Sequence, residues 1–114
     1  GHHAHLPAVM ARVKASRPQV CIPLGWQGWQ GRAADNAAPL AASLNLLRSM
    51  PEISCERFIS AGTCYEYDLC DSELAEEHPL RPRDVYGACK KALFEVGQQV
   101  GTEAGISVAV ARIF

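Results

Sequence analysis

The chain has 114 residues, enough for one domain with a buried core, and a formal net charge of -1. It has no Lys/Arg run and no apolar stretch approaching the ~20 residues that span a bilayer, so a nucleic-acid partner and a membrane are excluded as expectations. Five cysteines, an odd number with no CxxC pair and no leader pattern, point to free thiols in a reducing cytoplasm.

Gly1-His2 reads as a cloning scar, and residues 1–5 are set apart as a disordered start. Residues 6–114 are then read as a single domain. The first helix runs from Leu6 to Ser16, with Leu6, Val9, Met10 and Val13 as its apolar stripe. Arg17-Pro18 ends it. Residues 19–24, around Val20-Cys21-Ile22-Pro23-Leu24, form a short continuous apolar run. That pattern suits a strand covered on both faces, although Pro23 cannot donate to a ladder.

Gly25-Trp26-Gln27-Gly28-Trp29-Gln30-Gly31 follows. Its spacing is GxxGxxG, not GxGxxG, and two Trp side chains would crowd a pyrophosphate. A flexible loop at the mouth of a crevice is the better reading, with Gly25 permitting close backbone approach by a ligand. Trp26 and Trp29 could stack on a base, but paired loop aromatics more often pack on their own domain or at an interface.

Residues 35–50 form the second helix, capped by Asp35 or Asn36, with Pro39 tolerable only in its first turn. Leu40, Leu44 and Leu47 are its stripe, widened by Leu46 and Met50. Pro51 closes it. Residues 56–62 form the second strand and lead directly into Thr63. Residues 68–82 are a polar loop containing Pro79 and Pro82. Asp84 caps a third helix that continues to Glu103, with Val85, Cys89, Ala92, Leu93, Val96 and Val100 as its buried stripe and Tyr86 and Lys90 to one side. Gly105 stops it. Residues 106–114 are the third strand. Helix and strand alternate three times with short connections, which predicts an α/β fold of about three parallel strands joined by right-handed crossovers.

The chemistry centres on Tyr86-Gly87-Ala88-Cys89-Lys90. Residues four apart on a helix share a face. An ammonium beside a phenol favours the phenolate and lowers the Tyr pKa from about 10. A phenolate in a crevice can take a proton from a substrate hydroxyl, and a Thr hydroxyl can hold the same oxygen. By itself the spacing is a weak signal, because most such pairs are solvated. Thr63 strengthens it by standing at the carboxyl end of a strand, where open α/β sheets bind ligands. Cys64, Cys70 and His78 are close in sequence but fit no common zinc spacing. His78 reads as a solvated loop residue, and the acidic stretch 73–77 as a solvated face.

Four segments in order carry a family resemblance: Arg57-Phe58-Ile59-Ser60-Ala61-Gly62-Thr63-Cys64-Tyr65-Glu66-Tyr67; Glu77-His78-Pro79-Leu80-Arg81-Pro82; Tyr86-Gly87-Ala88-Cys89-Lys90-Lys91; and Val108-Ala109-Val110-Ala111-Arg112-Ile113-Phe114. Together they resemble the extended short-chain dehydrogenase/reductases, and more narrowly the NAD-dependent epimerase/dehydratase group that acts on nucleotide sugars. The resemblance implies a partial Rossmann-like domain. It implies Tyr86 as general base/acid, Lys90 as the group that lowers its pKa and bonds the nicotinamide ribose, and Thr63 as the catalytic hydroxyl. It further implies Leu24, Gly25, Ser60, Ala61 and Gly62 against an NAD or NADP cofactor, and a homodimer through the helices at 35–50 and 84–103.

The departures are specific. No GxGxxG turn precedes the first strand, and the C-terminal part that binds the nucleotide sugar is missing. Pro39 stands where the family usually has an Asn, with Asn36 offset, and Pro23 stands where a His is frequent. The expected protein is therefore a truncated NAD(P)-dependent nucleotide-sugar epimerase/dehydratase-like chain. It carries the catalytic residues but is not expected to turn over alone. The alternative is a non-catalytic module that dimerises or binds a small ligand.

Overall fold

A computed structural model describes residues 6–26 and 33–114. The expected N-terminal scar at 1–5, and the part of the glycine-rich loop that holds Gly28, Trp29 and Gly31, lie outside the described residues.

The order is α1 (Leu6–Ser16), β1 (Val20–Cys21), α2 (Ala33–Ser49), a 3₁₀ turn (Met50–Ile53), β2 (Arg57–Thr63), a second 3₁₀ turn (Cys64–Glu66), α3 (Val85–Ala104) and β3 (Ser107–Ile113). The strands form one parallel sheet in the order β1-β2-β3, with Phe58 level with Cys21 on one side and Val108 on the other. Two successive right-handed crossovers in one direction bring both helices to one face of a sheet. Here α2 and α3 pack on each other and α3 packs on β2 and β3. The core lies on that face: Leu47, Met50, Ile53, Cys55, Phe58 and Ile106, with Met10 and Val13 of α1 packed against it.

Several expectations change. The first strand is only two residues long, and it is covered on one face rather than two. Val20, Ile22 and Leu24 point away from the core and are 41%, 52% and 75% exposed. α2 begins at Ala33, so Pro39 sits in its second turn, where it has no N–H to donate. The buried line of α2 runs through Asn36, Ser43 and Leu47 and on to Met50 in the turn that follows, while Leu40, Leu44 and Leu46 are half-buried. α2 ends at Ser49, before Pro51, which sits at the start of that turn.

The stripe of α3 is displaced in the same way. Its buried residues are Gly87, Lys90, Leu93, Gly97 and Gly101, while Val85 and Val96 are exposed. His78 is half-buried rather than solvated, bonded to the Asp68 carbonyl and edge-on to Tyr67.

Candidate functional site

Thr63 is the last residue of β2 and also the N-cap of the turn Cys64–Glu66. Its N–H donates to Glu66 Oε2 at 2.8 Å, and the Tyr65 N–H donates to Thr63 Oγ1 at 3.3 Å. This reciprocal capping box fixes both backbone and hydroxyl at the strand's carboxyl end. Glu66 is fully buried, and its other oxygen accepts from Arg112 Nε of β3 at 3.2 Å. The Arg112 guanidinium lies against Tyr67 and Phe94, at 5.1 and 5.5 Å from the ring centroids. Gly62 makes room for the carboxylate, because a Cβ there would sit 2.6 Å from Glu66 Oε2 and 2.6 Å from Val110 Cγ2.

Tyr86 enters from the first turn of α3. Asp84 caps that turn by accepting from the Gly87 N–H at 2.7 Å. At Gly87 a side chain would collide with the Tyr65 carbonyl oxygen, so the helix start abuts the turn after Thr63. Tyr86 consequently packs edge-to-face on Tyr65, with the Thr63 hydroxyl near enough to its phenol to favour the ionised form.

Burial pushes the Tyr86 phenol above its ordinary value. The Thr63 hydrogen bond opposes this, and negative charge at Glu66, Cys64 and Asp84 adds to it. The lowering expected from Lys90 is absent for a geometric reason. Lys90 Nζ donates to the Ala61 carbonyl at 2.8 Å and lies 6.0 Å from the Tyr86 ring centroid. Sharing a helix face does not bring the two functional ends together. Burial in turn holds the Lys90 ammonium below its usual range, against the pull of the Glu66 carboxylate.

The strand residues divide by face. Ser60 and Gly62 are level with Val110 and Arg112 on the helix side, where Ser60 Oγ is buried with no hydrogen-bond partner among the described residues. Ala61 offers its carbonyl to Lys90. Leu24 and Gly25 are exposed beyond β1, and none of the described residues lies within 4 Å of a Cβ built at Gly25. Thr63, Tyr86, Lys90 and Ala61 thus come together at the sheet's carboxyl end. Leu24 and Gly25 lie beyond the end of β1, and the Ser60 side chain and the face of Gly62 belong to the packing side.

Four residues at the site escaped the sequence reading as parts of it. Thr63 and Glu66 carry the T-x-x-E capping pattern, which could have flagged Glu66. Arg112 needs the strand register to be placed beside it. Trp26 lies with its ring 4.2 Å from Lys90 Nζ and donates its indole N–H to Asn36 Oδ1 at 3.2 Å. Nothing in the spacing of Trp26, Asn36 and Lys90 announces that contact. Cys64 and Cys70 line a separate open cleft of about 500 Å³ with Leu69, Leu74 and Phe114.

The pattern describing the NAD dependent epimerase/dehydratase family matches residues 5–114. The fold is similar to UDP-glucose 4-epimerase from Brucella ovis in complex with NAD, with a TM-score of 0.75 and 17% identity over 91% of this chain and 35% of that one. It is also similar to UDP-glucose 4-epimerase from Thermus thermophilus in complex with NAD (TM-score 0.67, 24% identity, 88% of this chain and 36% of that one). RMD from Pseudomonas aeruginosa complexed with NADPH gives a TM-score of 0.67 at 24% identity, over 82% of this chain and 35% of that one. At such identities the likeness is one of fold. The chain spans about a third of the length of these solved structures. No curated protein sequence matches it.

Proposed function

The chain belongs to the NAD-dependent epimerase/dehydratase family, and we propose that it supplies the proton-transfer machinery of an NAD(P)-dependent epimerase or dehydratase acting on nucleotide sugars. What supports the reading is one juxtaposition: the Tyr86 phenol beside the Thr63 hydroxyl at the carboxyl end of β2, with Lys90 one helical turn on and anchored to the Ala61 carbonyl. Similar folds solved with NAD or NADPH support a dinucleotide as the ligand class.

In this reading Tyr86 accepts the proton of a sugar hydroxyl and later returns it. The Thr63 hydroxyl donates to the phenolate oxygen and fixes where it stands; Thr63 is itself fixed by the capping box. Tyr86 starts from a raised pKa even with the Thr63 hydroxyl favouring its ionised form, so an added positive charge must lower it before it acts as a base. A bound nicotinamide would supply the hydride acceptor. The residues present fit only its nearer half, where Lys90 could bond the ribose. No GxGxxG turn occurs in the 114 residues to hold the pyrophosphate. The chain alone is therefore proposed to bind dinucleotide weakly and not to turn over.

Titration with NADH and NADPH, read by energy transfer from the tryptophans, tests the reading. Saturable binding that Lys90→Ala abolishes is the expected result. No binding up to millimolar dinucleotide would leave the alternative, a non-catalytic association module. An apolar line on the outer side of α3 favours a homodimer in either case. Val85 and Val96 are 39% and 45% exposed, with Cys89 and Ala92 between them at helical spacing. Among the described residues no helix is long and apolar enough to cross a membrane. A cytoplasmic setting is proposed from the five unpaired thiols.

A further inference from the structure

Trp26 and Asn36 take no part in the proton-transfer reading, yet they enclose its lysine. Lys90 is only 6% exposed. One side of its ammonium is taken by the Ala61 carbonyl, and the Trp26 ring covers another at 4.2 Å. The indole is itself tethered, since its N–H donates to Asn36 Oδ1 within α2, and Asn36 is fully buried. With the ring there, almost none of Lys90 faces solvent. From this geometry we propose that Trp26 is a built-in competitor for Lys90: the indole face holds the ammonium when no ligand is bound, and a vicinal diol such as a ribose reaches Lys90 only by displacing the ring. The inference rests on Lys90 as the ribose contact.

The exchange is chemically balanced. A cation over a desolvated indole is held by the ring's negative face, and a diol replaces that attraction with oxygen acceptors for the ammonium N–H groups. The ring's departure also gives up its bond to Asn36. The strength of a desolvated cation–π contact corresponds to a dinucleotide affinity about 10- to 30-fold weaker than an uncovered lysine would give.

Two readouts on Trp26→Ala and Trp26→Leu test this. The first is acetylation by an activated ester, followed lysine by lysine by mass spectrometry, with exposed Lys14 as the internal reference. Lys90 in the native chain is expected to react about tenfold more slowly than Lys14, and Trp26→Ala should bring the two rates close together. The second is NADH affinity read from the dinucleotide's own fluorescence, expected to tighten about 10- to 30-fold in Trp26→Ala. Trp26→Leu keeps apolar bulk without a π face, so it should tighten binding even if Trp26→Ala folds poorly. Native Lys90 reacting as fast as Lys14 would overturn the proposal. So would affinity that is unchanged or weaker in both variants of a chain that binds NADH. If Lys90 is uncovered in Trp26→Ala but neither protein binds dinucleotide, the indole clasp stands and the ribose role of Lys90 falls.

Discussion

Two opposing influences meet at the Tyr86 oxygen. Burial and the carboxylates of Glu66 and Asp84 hold the proton on, while the Thr63 hydroxyl favours its release. The balance is a raised pKa, which fixes the sign of a pH effect. A phenol whose folded value lies above its unfolded value of about 10 contributes fully below pH ~10, and its contribution is lost as pH rises through the folded value. Between about pH 9 and 11, Tyr86→Phe is therefore expected to lose less stability than the native chain, measured by urea unfolding at each pH. Thr63→Val should push the Tyr86 titration higher still, because it removes the one favourable bond to the phenolate. Ultraviolet difference spectra against the Tyr86→Phe background read this directly. A Tyr86 that titrates below pH ~10 would contradict the burial argument.

The sequence reading singled out Thr63, Tyr86 and Lys90 from the Tyr-xxx-Lys spacing together with the family resemblance, and the three lie together at the carboxyl end of β2. It misjudged what Lys90 does to Tyr86. Spacing fixes where two Cα atoms lie, but a long side chain ends wherever its amine finds partners. Here those partners are the Ala61 carbonyl and the Trp26 ring, 29 and 64 residues away in the chain.

At the scale of elements, α3 shows how a buried face can hide from a count of large apolar side chains. The sequence reading followed Val85, Cys89, Ala92 and Val96, yet Gly87, Gly97 and Gly101 line the packed side with Lys90 and Leu93. Glycine carries no apolar signal, but it lets a helix approach a sheet closely. The glycines are not equivalent. A Cβ at Gly97 would meet Leu47 Cδ2 at 3.4 Å and Val108 at 3.7 Å, close to ordinary contact with the ends of flexible side chains. A Cβ at Gly101 would lie 2.7 Å from the Ile106 carbonyl oxygen, which is backbone and cannot easily move. Helix propensity alone would favour alanine at both by about 1 kcal/mol. Gly97→Ala is accordingly expected to be neutral or stabilising by up to about 1 kcal/mol. Gly101→Ala should destabilise by about 1–3 kcal/mol, because overpacking exceeds the propensity gain. Thermal or urea unfolding of the two variants side by side checks this, and equal effects at both positions would refute it. The limits of α1, β2, α3 and β3 were legible to within a residue because caps, glycine stops and prolines mark them. The cut of β1 to Val20–Cys21 was not, because strand length depends on what its neighbours offer for pairing.

Among the described residues two apolar surfaces face water, on opposite sides. One is the outer side of α3, around Val85 and Val96; the other is the sheet face away from the helices, with Val20, Ile22, Leu24 and Ile113 exposed. Exposed apolar patches of this kind drive association, and an uncovered sheet with open edges is prone to unspecific pairing. The two should behave differently. A helix surface offers ridges and grooves that interlock in a defined geometry, whereas the sheet face ends in unpaired strand edges. The proposed homodimer therefore belongs to the helical side. At roughly 800 Å² buried per partner it would be a stable complex of standard size. Val96→Glu places a charge at the centre of that contact without touching the core. It is expected to convert a dimer to a monomer in sedimentation equilibrium, with little change in the far-ultraviolet circular dichroism. Ile113→Lys, on the sheet side, should leave the dimer intact and suppress higher aggregates. If Val96→Glu stays dimeric while Ile113→Lys dissociates, association runs through the sheet. The surface that the sequence reading assigned to a buried helical stripe would then have no partner of its own.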